Sequence, residues 1–191
     1  MVVGVVAVQG GFREHRQAFE RLDVEAREVR SPGDLAGVDA LTLPGGESTA
    51  MRRLYRWSGL LEPLQERIAA GMPALGTCAG MIVLADRIAD GDDPVFGALP
   101  VTVRRNAFGR QEASFEAPVE IDGVAGGPFP GVFIRAPWVE EVREGAEAIA
   151  RHDGHIVAVR RGPVLASAFH PELTDDLRLH RLFVERVAPA A

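Results

Sequence analysis

The 191-residue chain contains no lysine; all 21 of its basic residues are arginine. Chemistry that runs through a protein Schiff base needs a lysine amine and is excluded within this chain, as is a lysine-anchored phosphate loop. A single cysteine excludes an internal disulfide and a cysteine-built zinc site. The apolar start at residues 2–8 has no basic segment before it, and no later run approaches the ~20 residues of a membrane span. The chain therefore reads as cytoplasmic, with no membrane partner. With a net charge of −6 and no dense arginine run, it lacks the footprint of a nucleic-acid groove. What is present is an ordinary globular balance, 47% hydrophobic and 25% charged, enough apolar surface for a core. The length suits one domain.

The first ninety or so residues alternate strand and helix. Valine-rich residues 2–8 read as a strand buried on both faces, followed by a Gln9-Gly10-Gly11 turn and a helical stripe of Phe12, Phe19 and Leu22. Strands are expected at 24–29, 40–43 and 73–76, and helices at 48–57 and 60–70, with a break at Ser58-Gly59. Met81, Leu84, Ala85 and Ile88 follow i, i+3, i+4, i+7 and predict one more helix, buried because Ile82 and Val83 lie off the stripe. After an acidic loop at 90–94, strands are expected at 101–103, 114–119, 131–134, 148–152, 156–160 and 164–168. A last helix carries Leu179, Leu182, Phe183 and Val187 on one face, and 188–191 form a frayed tail. The alternation implies an α/β fold, an open and mostly parallel sheet flanked by helices.

Three segments carry chemistry. Gly76-Thr77-Cys78-Ala79-Gly80, between a short strand and a helix, has the G-x-C-x-G form of a nucleophile elbow. A nucleophile on so sharp a turn has strained backbone angles and needs small neighbours, and the helix start favours thiolate. A lone cysteine is most often an inert core residue; the flanking glycines argue otherwise. His170-Pro171-Glu172 follows an apolar strand, so His170 projects where open α/β sheets bind ligands; it can accept the thiol proton while Glu172 orients the ring. Read alone it is an unremarkable turn. Leu43-Pro44-Gly45-Gly46-Glu47-Ser48-Thr49 offers free N–H groups to a ligand, one of which could join that of Ala79 in an oxyanion hole, and Ser48 suits a helix N-cap. Arg104, Arg105 and Arg135 are surface residues or carboxylate clamps. His152 and His155 are spaced for a loop metal site, but no cysteine or carboxylate cluster supports one.

In this order the segments resemble the triad glutamine amidotransferases. LPGGEST at 43–49, GTCAG at 76–80, RNAFGRQ at 105–111, FIRAP at 133–137 and FHPEL at 169–173 together resemble one branch, the glutaminase subunit of pyridoxal 5′-phosphate synthase. The resemblance spans nearly the whole chain and implies a class I glutamine amidotransferase domain at 1–191, a flavodoxin-like three-layer sandwich. It implies a catalytic triad of Cys78, His170 and Glu172, L-glutamine held by Gly46, Glu47, Ser48, Arg105, Ile134 and Arg135, and an oxyanion hole from the Gly46 and Ala79 amides. No metal or organic cofactor is implied. The implied partner is a synthase (lyase) subunit in a hetero-oligomeric complex, which receives the ammonia and, unlike this chain, supplies a lysine; Gln9-Gly10 is a candidate part of the docking face. The competing readings are a glutaminase subunit serving another acceptor synthase, a non-catalytic binding module of the same fold, and a peptidase or esterase sharing the elbow.

Overall fold

The computed structural model describes residues 1–109 and 114–187. Arg110 and Gln111 of the RNAFGRQ segment, the side chain of Val187 and the expected tail at 188–191 lie outside the described residues. Strand β1 (Val2–Val6) leads through helix α1 (Phe12–Glu20) to β2 (Glu25–Val29), and β3 (Ala40–Leu43) leads through α2 (Ser48–Trp57) and α3 (Leu61–Ala69) to β4 (Ala74–Thr77). These strands and β12 (Val164–Ser167) lie side by side in the order β2-β1-β3-β4-β12, all parallel. The chain steps outward from β1 in one direction and then returns to step the other way. Right-handed crossovers taken in opposite directions put their helices on opposite faces of the sheet. That is why Val3, Val5, Val6, Leu41 and Leu43 are shut away from water in strands with neither side open to solvent.

Beyond β12 the sheet turns mixed. β11 (His155–Arg161), β9 (Trp138–Val142) and β6 (Leu99–Arg104) continue it antiparallel, β10 (Glu147–His152) pairs with β11, and β5 (Ala85–Ile88) closes the edge parallel to β6. β7 (Ser114–Val119) and β8 (Phe129–Ile134) form a separate antiparallel pair. The His170 N–H donates to the Val132 carbonyl at 2.8 Å, which ties that pair to the end of β12.

Two elements differ from the sequence-based expectation. The helix expected through Ile88 stops: α4 is Ala79–Leu84, and Ala85 is already extended at ψ 148°, opening β5. Met81, Leu84, Ala85 and Ile88 are all buried, so a short helix followed by a strand buried at both ends reproduces the spacing of one longer helix. Strand β9 was not expected, because adjacent exposed Glu140 and Glu141 interrupt its alternation. At the end of the described chain, α5 (Arg178–Leu182) runs into a wider π-helical turn, Phe183–Val187, with Leu179, Leu182 and Phe183 in the core.

The start of α4 admits only glycine at position 80. A Cβ there would lie 1.9 Å from the Leu43 carbonyl oxygen, and one on Gly76 would lie 2.7 Å from the Gly80 carbonyl. Backbone blocks both, so neither clash can be relieved by a rotamer change. Gly80→Ala is expected to destabilise the fold by ~3 kcal/mol and to lower Tm by ~6–12 °C, read by thermal denaturation of the full chain.

Candidate active site

The carboxyl ends of β1, β3, β4 and β12 meet on one rim of the sheet, and each is followed by a segment singled out above. In open α/β sheets that rim, at the switch in strand order, is where ligands bind. After β4 the chain turns at Cys78 with φ 50° and ψ −106°, outside the regions an L-residue prefers, and enters α4 at once. The turn is pinned from both sides: Cys78 N–H donates to the Ser167 carbonyl at 2.8 Å, and its own carbonyl accepts from Met81 N–H at 3.0 Å. The Cys78 thiol lies 3.8 Å from the Ile134 carbonyl, which is positioned to accept from it.

His170 closes on Cys78 across Gly45. The point where a Cβ on Gly45 would sit is 2.3 Å from His170 Cε1 and 3.3 Å from Cys78 Cβ. Pro171–Leu173 forms one tight helical turn, and this swings the Glu172 carboxylate back so that His170 Nδ1 lies 2.7 Å from Glu172 Oε1. Nε2 is thereby left for Cys78. Burial opposes a charged imidazole here, but hydrogen bonding to Cys78 and to Glu172, together with the attraction of the Glu172 carboxylate, outweighs it and pushes the pKa of His170 up to about 10. Burial would likewise raise Glu172; His15 and His170 beside it hold its carboxyl below the usual range instead.

The loop after β3 is braced by the loop after β1. Gln9 Oε1 accepts from the Glu47 N–H at 3.1 Å. The Gly45 carbonyl is directed at Gly10, where a Cβ would lie 1.6 Å from its oxygen, so the Gly46 N–H faces the opposite way. Among the described residues neither the Gly46 nor the Ala79 N–H finds an acceptor. The cap of α2 corrects the expectation for Ser48: Glu47 is the capping residue, its carboxylate accepting from Thr49 and Ala50 N–H at 2.9 and 2.7 Å, and Ser48 is already helical. Burial would raise the Glu47 carboxyl, but the two amides hold it below the usual range. A carboxylate engaged in this way leaves mainly the Glu47 backbone to face a ligand.

A cavity of about 310 Å³ opens beside the sulfur, at the small end of ligand sites (~300–1,000 Å³) and sized for a metabolite. Gly46, Glu47, Ser48, Cys78, Arg105, Ile134, Arg135 and His170 all border it. Ala79 lies next to Cys78 but does not border it, and Glu172 sits behind His170. Arg105 is paired with Asp90 at 2.9 Å and Asp92 at 2.7 Å; Arg104 pairs with Glu140 instead. Arg135 holds a left-handed backbone, φ 42°. His152 and His155 face each other across the β10–β11 hairpin, His155 stacked on Trp138 at 3.6 Å and His152 against Phe115 and Phe133. Sequence reading missed Asp90 and Asn106 as cavity residues, and it missed buried His15 and His180 behind Glu172. The signal for those two was a histidine on the apolar side of an amphipathic helix.

A cysteine elbow on the parallel strands β2-β1-β3-β4-β12, close to a histidine that follows the last of them, defines an α/β protein with a candidate cysteine nucleophile at its rim. A crystal structure of a glutamine amidotransferase matches at TM-score 0.90 and 50% identity, covering 97% of this chain and 98% of that one. The chain belongs to the SNO glutamine amidotransferase family, whose model matches residues 5–189. It is 58% identical over 189 residues to the pyridoxal 5′-phosphate synthase subunit PdxT of Streptomyces griseus, covering 97% of this chain and 95% of that protein. It is also 58% identical to PdxT of Mycolicibacterium vanbaalenii, with 95% of each chain covered.

The His170–Glu172 pair makes stability depend on pH in a definite direction. Glu172 sits below its ordinary 4.5, so its contribution is present above that value and is lost as pH falls through the folded value. His170 is raised from 6.5 to about 10, so its contribution is full below pH 6.5 and is lost as pH rises toward 10. The stability deficit of Glu172→Gln in urea unfolding is therefore expected to be largest between about pH 4.5 and 6.5 and to shrink toward pH 10. A pH-independent deficit would contradict the charged pair.

Proposed function

We propose that this chain hydrolyses L-glutamine to glutamate and ammonia at Cys78 and passes the ammonia to a synthase subunit that builds pyridoxal 5′-phosphate. The observation that carries the reading is the meeting of Cys78 and His170 at Gly45, with Glu172 on the far side of the ring. His170 takes the thiol proton and Sγ attacks the side-chain amide carbon. The Gly46 and Ala79 N–H groups, which have no acceptor among the described residues, stabilise the tetrahedral oxyanion. The intermediate collapses with a proton from His170 to the leaving nitrogen. Ammonia departs, and His170 then activates the water that cleaves the glutamyl thioester. Glu172 keeps the ring turned and favours its charged form.

Substrate recognition follows from the cavity. The α-carboxylate takes the Arg105 guanidinium through a two-pronged hydrogen bond. Asp90, released from Arg105, stands ready for the α-ammonium. Gly46, Glu47, Ser48 and the Ile134-Arg135 pair line the remainder, Glu47 through its backbone. An exchange of this kind selects a free amino acid over a glutamine within a peptide, which lacks both terminal charges.

A separate partner follows from composition. Ring construction through lysine imines is impossible for a chain without lysine, and free ammonia is mostly protonated at neutral pH, so a conduit into a hetero-oligomeric complex in the cytoplasm completes the reading. One contiguous apolar core supports treating residues 1–191 as a single amidotransferase domain.

Glutamate release in the presence of the synthase subunit is expected to fall at least about a thousandfold in Cys78→Ala, with loss of labelling by a thiol-alkylating glutamine analogue. Retained turnover in Cys78→Ala would overturn the mechanism. Arg105→Leu is expected to raise KM for glutamine about ten- to a hundredfold while leaving kcat within a few-fold; an unchanged KM would remove Arg105 from the substrate site.

A further inference from the structure

The Glu172 side chain is 1% exposed, and one of its two oxygens is accounted for by His170. The other, Oε2, has no well-aligned hydrogen bond among the described residues, and His15 Nε2, from α1, lies 3.2 Å from it. The approach is oblique, and the same ring nitrogen also lies 3.1 Å from Thr77 Oγ1. The other ring nitrogen of His15 lies 2.9 Å from His180 Nε2, brought in by α5. His15 and His180 are both fully buried. Cys78, His170, Glu172, His15 and His180 thus form one continuous line into the core.

The protons on that line follow from electrostatics. A lone pair on His15 Nε2 would face a carboxylate oxygen at 3.2 Å, so Nε2 carries the hydrogen and Nδ1 the lone pair. The 2.9 Å contact then requires Nε2–H on His180, and His180 Nδ1 is left with a lone pair and no partner. The opposite arrangement sets a lone pair against the carboxylate and buries an orphaned N–H at His180 Nδ1, the rarer and costlier fault. The titratable groups facing His15 are Glu172 and His170 from the end of β12, His180 from α5 and Glu14 from its own helix. Burial outweighs the attraction of Glu172 and holds His15 below its ordinary pKa, so it meets the carboxylate as a neutral donor.

We propose that His15 is a positioning residue for glutamine hydrolysis: its Nε2–H holds the second oxygen of Glu172 so that the first stays on His170, and His180 fixes the tautomer that makes this donor available. A neutral donor suits the task. It spreads the carboxylate charge and fixes its rotation without competing, as a second cation would, for the charge that stabilises His170.

The inference rests on the triad reading above. Its test uses the complex with the synthase subunit, scoring kcat, KM and the pH profile of kcat/KM. His15→Leu is expected to lower kcat about ten- to a hundredfold with KM within twofold. It should also move the acid limb upward by about one pH unit, because losing a donor to the carboxylate raises the pKa of Glu172. His15→Gln, which keeps an N–H at similar reach, restores most of the rate and the wild-type acid limb. His180→Leu falls between wild type and His15→Leu. Equal losses in His15→Leu and His15→Gln with an unmoved acid limb would mean a packing role only and overturn the proposal. So would unchanged kcat in His15→Leu. Nitrogen-15 NMR of the five histidines in the wild-type full chain is independent of any variant's folding: Nε2–H tautomers at His15 and His180 are expected, and Nδ1–H at His15 overturns the proposal. Cys78→Ala separates the two failures. If it stays active, the triad reading falls; if it is dead while the His15 variants are normal, only the positioning role falls.

Discussion

A carboxylate sealed from water has to be compensated by its neighbours, and the arrangement of the rim can be understood as the compensation of Glu172. An ionised carboxyl at this depth would carry a large desolvation penalty if left alone. Here His170 lies on one oxygen at 2.7 Å and His15 on the other at 3.2 Å. The two histidines do different jobs. His170, next to the cysteine and partly open to the cavity, becomes strongly basic; His15, enclosed by α1, α5 and β4, stays a weak base. One buried anion between two imidazoles of opposite tendency is the electrostatic centre of the molecule.

The parallel sheet is what lets such distant residues meet. Gln9, Gly45, Cys78 and His170 follow β1, β3, β4 and β12, four strands that end on the same rim. Parallel strands point all their carboxyl ends one way, so the crossovers deliver one short loop each to a common place. The antiparallel half contributes differently. β8 offers the Ile134 carbonyl to the sulfur and the Val132 carbonyl to the His170 N–H, so it steadies both residues through backbone alone.

Much of this was legible in the residues and some was not, for physical reasons. Local patterns spoke clearly where one constraint dominated: Gly76 and Gly80 around Cys78, where backbone leaves no room for a Cβ, and proline between His170 and Glu172, which forces the turn. The reading failed where two constraints share one pattern. Burial at Met81, Leu84, Ala85 and Ile88 fits a helix and also fits the observed helix-then-strand. Ser48 is a good N-cap by type, but the preceding carboxylate reaches two amides and takes the position. Spacing places His15 and His180 on the apolar sides of their helices but not beside Glu172, because their significance depends on a carboxylate from a third part of the chain.

The strain at Cys78 follows from the same logic. A non-glycine residue held at φ 50° and ψ −106° carries an energy of order 1–3 kcal/mol, which persists only where the surroundings over-determine the conformation. Here the Ser167 carbonyl fixes the Cys78 N–H and the Met81 N–H fixes its carbonyl, while the close approach of Gly76 to Gly80 and of Gly80 to Leu43 fixes the chain on either side. Relaxing φ would break one of those hydrogen bonds or drive backbone into backbone, and either costs more than the strain it relieves. The Cα–Cβ bond is thereby aimed toward the rim rather than into the apolar interior where a lone cysteine ordinarily resides. What the fold imposes on this residue is direction: Sγ is held between the Ile134 carbonyl and the imidazole, at the mouth of a cavity large enough for one amino acid.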